Sequence, residues 1–193
     1  MGLEIEAKMN VPDLESIRAK LESAGATAAG DVLEINTFFD TTASSLMNAD
    51  KGLRLRVNKS VTDGSTNHIV TLKGPRQPGQ LKTREETEFT VDDPAAATHV
   101  FEQLGFGKTV SFEKRRRSWH FLGCKVELDE IPYLGTYVEV EGPTPDRVMH
   151  AREALGLEDQ PIVHTSYIAL LMNYLGEHRI HEKDIRFAKS HAG

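Results

Sequence analysis

Cysteine is all but absent from this chain, with Cys124 alone among 193 residues. A single thiol closes no internal disulfide and builds no cysteine-based structural zinc site, so a reducing, cytoplasmic setting is expected. No long apolar run occurs either. Ile168-Ala-Leu-Leu-Met172 is too short to span a bilayer, and the N-terminal residues contain no basic segment leading into an apolar one. Neither a secretory signal nor a membrane partner is expected. Also missing are G-x-x-x-x-G-K-S/T and a strand-linked G-x-G-x-x-G, which excludes a P-loop or Rossmann turn as the phosphate site. Basic excess is lacking too: 29 acidic against 23 basic residues leave a formal charge of -6. Nucleic-acid backbones find no general attraction here, and any anion must be bound locally.

What is present fits one compact domain, with 39% hydrophobic and 27% charged residues. Leu3, Ile5, Ala7 and Met9 alternate with Glu4, Glu6 and Lys8, the period of a strand with one apolar and one charged face. Pro12 opens a helix to about Ala24, where Leu14, Ile17 and Leu21 recur at helical spacing and Gly25 stops it. Val32 to Asp40 reads as extended, Thr41 to Lys51 as a polar connection, and Leu53 to Val57 as a strand. Asp63-Gly64 turns that strand into a hairpin with His68 to Lys73. Gly74 to Gly79 reads as a loop and Arg84 to Val91 as a strand. Pro94 to Leu104 is a second helix, Val110 to Phe121 and Cys124 to Asp129 form a hairpin about Leu122-Gly123, and Tyr133 to Glu141 is another strand. Helices over Pro145 to Leu155 and Val163 to Leu175 complete an α+β fold of about eight strands and four helices. Residues 1–176 are expected to be one domain and 177–193 a polar, frayed tail.

The informative feature is the polar side of successive strands. Glu4, Glu6 and Lys8 share one face; Arg54 and Arg56, then Arg84, Glu86 and Glu88, share others. Lys114 with Arg116, Glu127 with Asp129, and Glu139 with Glu141 continue the pattern, while Val126, Leu128, Val138 and Val140 point the other way. A merely solvated face mixes Thr, Ser, Gln and Lys. These faces are nearly all ionised and sort acids from bases strand by strand. Brought together, the carboxylates would repel unless cations neutralised them, and the arginines and lysines would need anions. Mg2+ or Mn2+ with a polyphosphate satisfies both sets.

Glu4-Ile-Glu6-Ala-Lys8 resembles the ExExK signature of the CYTH, or triphosphate tunnel metalloenzyme, family. The resemblance continues through Leu53-Arg54-Leu55-Arg56, Thr71-Leu72-Lys73-Gly74-Pro75, Arg84-Glu85-Glu86-Thr87-Glu88, Lys114-Arg115-Arg116, Leu128-Asp129-Glu130, and Leu134-Gly135 into Val138-Glu139-Val140-Glu141. It covers residues 3 to about 175. It implies a closed eight-stranded antiparallel tunnel with helices packed outside, and a homodimer. It further implies that Glu4, Glu6, Glu139 and Glu141 bind Mg2+ or Mn2+, with Asp129 and Glu86 or Glu88 assisting. Lys8, Arg54, Arg56, Lys73, Arg84, Lys114 and Arg116 would hold phosphate oxygens, and Glu4, Glu6 and Lys8 would form the catalytic centre. Glu127 matches no family position and is read as an orienting or surface residue. The cyclase-like branch is closest, which implies conversion of ATP to cyclic AMP and pyrophosphate. Hydrolysis of inorganic or thiamine triphosphate is the alternative, and a non-catalytic nucleotide or polyphosphate binder is the rival of another class.

Other signals reduce to structure. His178 and His181 sit in the polar tail as solvated residues, and Cys124, beside a hairpin turn, is a packing residue. In Lys114-Arg115-Arg116-Arg117, strand parity sends Arg115 and Arg117 opposite to Lys114 and Arg116, so the run is not one basic surface.

Overall fold

The computed structural model describes residues 2–188. Eight long strands build the wall: β1 (Gly2–Asn10), β2 (Thr27–Asp40), β3 (Gly52–Ser60), β4 (Thr66–Gln77), β5 (Lys82–Thr90), β6 (Gly107–Phe121), β7 (Cys124–Ile131) and β8 (Gly135–Glu141). Their order is β2-β3-β4-β5-β1-β8-β7-β6, each neighbouring pair is antiparallel, and β6 returns to pair with β2. The barrel is therefore closed. Short connections make this order possible, as at the β6–β7 hairpin, where Leu122 and Gly123 both take positive φ of 52° and 75°. That pair of left-handed residues matches the strand twist, and glycine adopts it without steric cost.

The helices are α1 (Leu14–Ser23), α2 (Ser45–Asn48), α3 (Pro94–Gln103), α4 (Pro145–Ala154) and α5 (Tyr167–Glu177). Asp13, Asp93, Thr144 and Ser166 cap α1, α3, α4 and α5 by accepting from backbone N–H groups of the first turn. The barrel is inverted relative to an ordinary small barrel, because its apolar side faces outward. Ile5, Ala7 and Met9 of β1, Val126 and Leu128 of β7, and Val138 and Val140 of β8 pack with Leu14, Ile17 and Leu21 of α1 and Val148 and Ala151 of α4. A second cluster joins Leu53, Leu55 and Val70 to Phe101 of α3. A third joins α5 to Val110, Phe112 and Tyr137. Burying each large aliphatic side chain contributes roughly 1.5–3 kcal/mol, so the helices hold the barrel from outside.

The structure departs from the sequence reading at several ends. β2 starts at Thr27, not Val32, with a register shift between Ala28 and Gly30. β4 continues to Gln77 through the expected loop, because a shift between Lys73 and Arg76 accommodates Pro75, which has no N–H to give the ladder. The polar connection contains α2, capped by the Asp40 carboxylate, which accepts from the N–H groups of Leu46 and Met47. α5 begins at Tyr167, four residues later than expected, since Ile162 and Val163 are held extended against β1 by the Met9–Ile162 bridge and the Val163 N–H to the Lys8 carbonyl, and Ser166 caps the helix. The segment expected to fray is partly docked. A short strand β9 (Asp184–Ile185) pairs in parallel with Ser111 and Phe112, and Ile185 is fully buried. It covers an edge of β6 ahead of the stretch paired with β7. Residues 189–193 of that segment lie outside the described residues.

Candidate active site

The inward positions of the barrel enclose a cavity of about 650 Å³. Strand parity carries Glu4, Glu6 and Lys8, then Arg54 and Arg56, Lys73, Arg84, Glu86 and Glu88, Lys114 and Arg116, and Glu139 and Glu141 to its lining. An eight-stranded barrel leaves room for side chains or one small ligand, and long charged side chains rimming a void leave room for the ligand.

The charges are sorted across the cavity. Glu4 and Glu6 on β1, Glu139 and Glu141 on β8, and Glu127 on β7 occupy three adjacent strands. Arg54 and Arg56 on β3 and Lys73 on β4 lie on strands halfway round the closed order. An acidic wall thus faces a basic wall. Proton affinities follow the division only in part: although burial opposes it, Arg116 and Lys8 hold Glu139 below the usual carboxylate range, and Arg116 and Lys125 do the same for Glu127. Burial together with Glu127 and Glu4 pushes the Glu141 carboxyl up to about 7. Burial and the neighbouring Glu139 raise Glu6 as well. Across the tunnel, burial and the adjacent Arg56 lower Arg54 to about 10, and burial with Arg54 lowers Lys73. Positive charge is short at Glu141 and Glu6, and negative charge is short at Arg54 and Lys73.

Ion pairs bridge the walls. Lys82 stands 2.5 Å from Glu6 and 3.9 Å from Glu4. Lys73 bonds Glu86 and lies 3.3 Å from Glu4. Lys8, 1% exposed, lies 3.7 Å from Glu139, and its Nζ is 4.2 Å from the Tyr167 ring centroid. Arg116 is the hub, touching Asp129, Glu127, Glu139 and Glu34. Despite burial, Asp129, Glu127 and Glu34 hold its guanidinium well above the usual range for arginine. Although burial opposes it, Arg56, Lys114 and Arg116 keep Glu34 far below the usual carboxylate range.

Two features remain unsatisfied. Among the described residues the buried Nε atoms of Arg54 and Arg84 have no hydrogen-bond partner. Glu141 likewise makes no ion pair there. Buried guanidinium nitrogens without acceptors suit an anion, and a carboxylate raised by burial beside like charges suits a cation. No three acidic or histidine side chains among the described residues already stand as a cation cage. Glu4 and Glu6 instead turn to Lys73 and Lys82. The donors are still all hard carboxylate oxygens, the chemistry that Mg2+ and Mn2+ take.

Asp129 departs from the other expected site residues. It is fully buried and absent from the cavity lining, engaged by Arg116, Lys114 and the Tyr167 hydroxyl. Glu88 is more exposed, accepting from Thr71 at 2.6 Å and from Arg54 at 3.4 Å. Glu127, read as orienting or surface, is 2% exposed and paired with Arg116 and Lys125. Sequence reasoning missed Lys82, Glu34 and Tyr167. Lys82 shares the parity of Arg84, but that strand was expected to start at Arg84. Glu34 is a lone acid between Leu33 and Ile35 and lacks a repeated partner. Tyr167 comes from a helix and carries no charge pattern. Arg115 and Arg117 point away, to Glu130 and Glu15, as parity required.

Comparison with known proteins agrees with this geometry. The CYTH domain profile matches residues 2–161. A protein of Methanocaldococcus jannaschii, provisionally named an adenylate cyclase, is 25% identical over 177 residues, which cover 87% of this chain and 98% of that protein. The solved structure of a Pyrococcus horikoshii OT3 protein superposes with TM-score 0.72 at 26% identity, covering 86% of this chain and 97% of that one. A Hippeastrum structure, described as a provisional adenylyl cyclase with a dominant triphosphatase activity, has TM-score 0.68 at 20% identity, covering 88% and 95%. At that identity the likeness concerns the fold.

Proposed function

The chain belongs to the CYTH domain family, and from that premise we propose that it is a metal-dependent enzyme acting on a triphosphate inside its barrel, with class IV adenylyl cyclase-like chemistry. The observation that carries the reading is the opposition of an acidic wall, where Glu141 is raised to about 7, to a basic wall with acceptor-less buried guanidinium nitrogens. A triphosphate with its cation supplies both missing charges at once.

Glu4, Glu6, Glu139 and Glu141 would hold the cation, which when bound would draw phosphate oxygens toward the acidic wall and offset their charge. Arg54, Arg56 and Lys73 from the facing strands, with Arg84 and Lys114 from the strands flanking the acidic wall, would donate to phosphate oxygens, and arginine adds planar paired donors. Lys8 lies within the acidic wall, on β1 opposite Glu139 in register. Burial lowers its ammonium below the usual range for lysine, which readies it to release or accept a proton near the reacting oxygen. Arg116, saturated by carboxylates, orients the acidic wall, with Asp129 fixing Arg116 from behind. In the cyclase reaction the ribose 3'-hydroxyl of ATP attacks the α-phosphorus and pyrophosphate leaves.

A second reading has specific support. The Hippeastrum relative carries a cyclase name and a dominant triphosphatase activity, so hydrolysis, in which water attacks a terminal phosphorus, is the alternative on this fold. The experiment incubates the protein with ATP and, separately, with inorganic and thiamine triphosphate, each with Mg2+ and with Mn2+, and separates products by chromatography. Cyclic AMP with pyrophosphate is the expected result. Orthophosphate with a diphosphate product selects the triphosphatase, and no turnover of any triphosphate rejects both in favour of a binding module.

A further inference from the structure

Outside the tunnel, α4 buries a cation that no carboxylate balances. Val148 and Ala151 pack on the barrel, and Arg152, one helical turn beyond Val148, joins them at 8% exposed. Its Nη2 donates to the carbonyls of Glu158 and Gln160, each at 2.7 Å, and Nη1 lies 4.0 Å from the Met149 sulfur. Among the described residues its buried Nε has no partner. The negative end of the α4 dipole offsets only part of the charge, and a buried cation without a counter-ion costs stability. A methionine would fill the same layer without that cost. Stability therefore does not account for an arginine at this position.

The two carbonyls belong to the chain that leads from α4 to the site. Beyond them Ile162 bridges Met9, and the Val163 N–H donates to the Lys8 carbonyl at 2.7 Å. Three residues later Ser166 caps α5, whose Tyr167 lays its ring over Lys8 and its hydroxyl on Asp129. Residues 158–163 are thus fastened by Arg152 at one end and by the backbone of Lys8 at the other. Between the ends, Asp159 and Pro161 are exposed, and Pro161 has no N–H to give.

Resting on the triphosphate reading above, we propose that Arg152 is a positioning residue for turnover, acting through residues 158–163 to hold Lys8 and Tyr167 against each other inside the tunnel. Arg152 itself is no part of the cavity lining. A guanidinium suits the task, because its donors diverge in one fixed plane and span both carbonyls, whereas an ammonium on a flexible stem does not fix that angle. Loosening the segment would let the Tyr167 ring drift from the Lys8 amine. A displacement of about 1 Å in a group beside the chemistry costs on the order of a hundredfold in rate.

The test compares Arg152→Met and Arg152→Lys with the wild type by thermal midpoint, by hydrogen exchange of the Val163 amide, and by kinetics with whichever triphosphate the wild type turns over. Arg152→Met should melt at or above the wild-type midpoint, since the buried charge is gone and water reaches the carbonyls of exposed Glu158 and half-buried Gln160. Its Val163 amide should exchange faster while the amides of β7 keep their protection. Its kcat should fall about tenfold to a hundredfold at nearly unchanged KM. Arg152→Lys, which keeps a donor, should recover part of that loss. Wild-type protection of Val163 in Arg152→Met, or wild-type kcat per folded molecule, overturns the inference. Should Arg152→Met fail to fold, Arg152→Lys decides: faster Val163 exchange with lower kcat supports the role, and wild-type values of both overturn it. If the wild type turns over no triphosphate, that reading fails and the catalytic role with it, while Val163 exchange still decides whether Arg152 holds the segment.

Discussion

Arg116 and Asp129 meet edge to edge inside the barrel, with Nε 2.6 Å from Oδ1 and Nη2 2.5 Å from Oδ2. Both are buried, and the same guanidinium also reaches Glu139 at 2.5 Å. Removing it strands several buried carboxylates, which is far costlier than losing a surface pair. Arg116→Ala should destabilise the protein by about 3–5 kcal/mol in urea unfolding. A loss below about 1 kcal/mol, the range of exposed ion pairs, would show that the acids do not depend on this hub.

The guanidinium groups whose buried Nε has no partner should behave differently. Arg54→Ala and Arg84→Ala each remove an incompletely satisfied donor, so triphosphate affinity should fall by about 1.5–3 kcal/mol, the range for a charge-assisted bond. Arg117→Ala, directed outward to Glu15, is the control and should bind as wild type does. Equal losses at positions 54 and 117 would refute the inward assignment of β3.

Glu141 makes the metal-free protein sensitive to pH. Its folded value is about 7 against an ordinary 4.5, so between these values the folded state keeps a proton that the unfolded chain has released. Raising the pH through this window therefore favours unfolding. The metal-free wild type should lose up to about 3 kcal/mol from this group between pH 4.5 and 7, and Glu141→Gln should flatten that part of the profile. An identical profile in the variant would remove Glu141 as the source.

Divalent cation should act on the same wall. Added Mn2+ is expected to raise the thermal midpoint, because a ligand that binds only the folded state stabilises it. Glu4→Gln and Glu6→Gln should each reduce that shift, and chelation should abolish turnover. Full activity of metal-free Glu6→Gln would falsify the metal assignment.

Tyr167 can be dissected in two steps. Tyr167→Phe removes the hydrogen bond to Asp129 and keeps the ring over Lys8, so a loss of about 1–3 kcal/mol in stability is expected for a buried partner left unsatisfied. Tyr167→Leu removes the ring too, and should lower kcat below that of the Phe variant. Equal kcat in the two variants would mean that the ring does not act on Lys8.

How the site was read, and what was missed, follows from the period of a strand. Glu4-Ile-Glu6-Ala-Lys8 declares its two faces locally, since alternate side chains must point to opposite sides. The same rule separated Arg116 from Arg117 and sent Val138 and Val140 to the helices. It could not reach Lys82, which a strand expected to begin at Arg84 left outside, or Glu34, a single acid with no repeat to mark it. Asp129 was legible as inward but not as the residue behind Arg116, because parity gives direction and not depth. Glu127 had no family counterpart, and only its burial beside Arg116 shows that it belongs to the interior.

The strands, their charged faces and the caps at Asp13, Asp93 and Thr144 were determined by the amino-acid sequence itself, because each depends on residues within a few positions of one another. Barrel closure was decided by tertiary structure. The pairing of β2 with β6 sets β3 and β4 halfway round from β8 and β7, and only then do Glu141 and Arg54 lie buried among like charges that shift their protons. The placing of Tyr167 against Lys8 was decided in the same way: it joins a helix near the C-terminus to the first strand, and no local pattern encodes a contact made by two segments that meet only when the chain closes on itself.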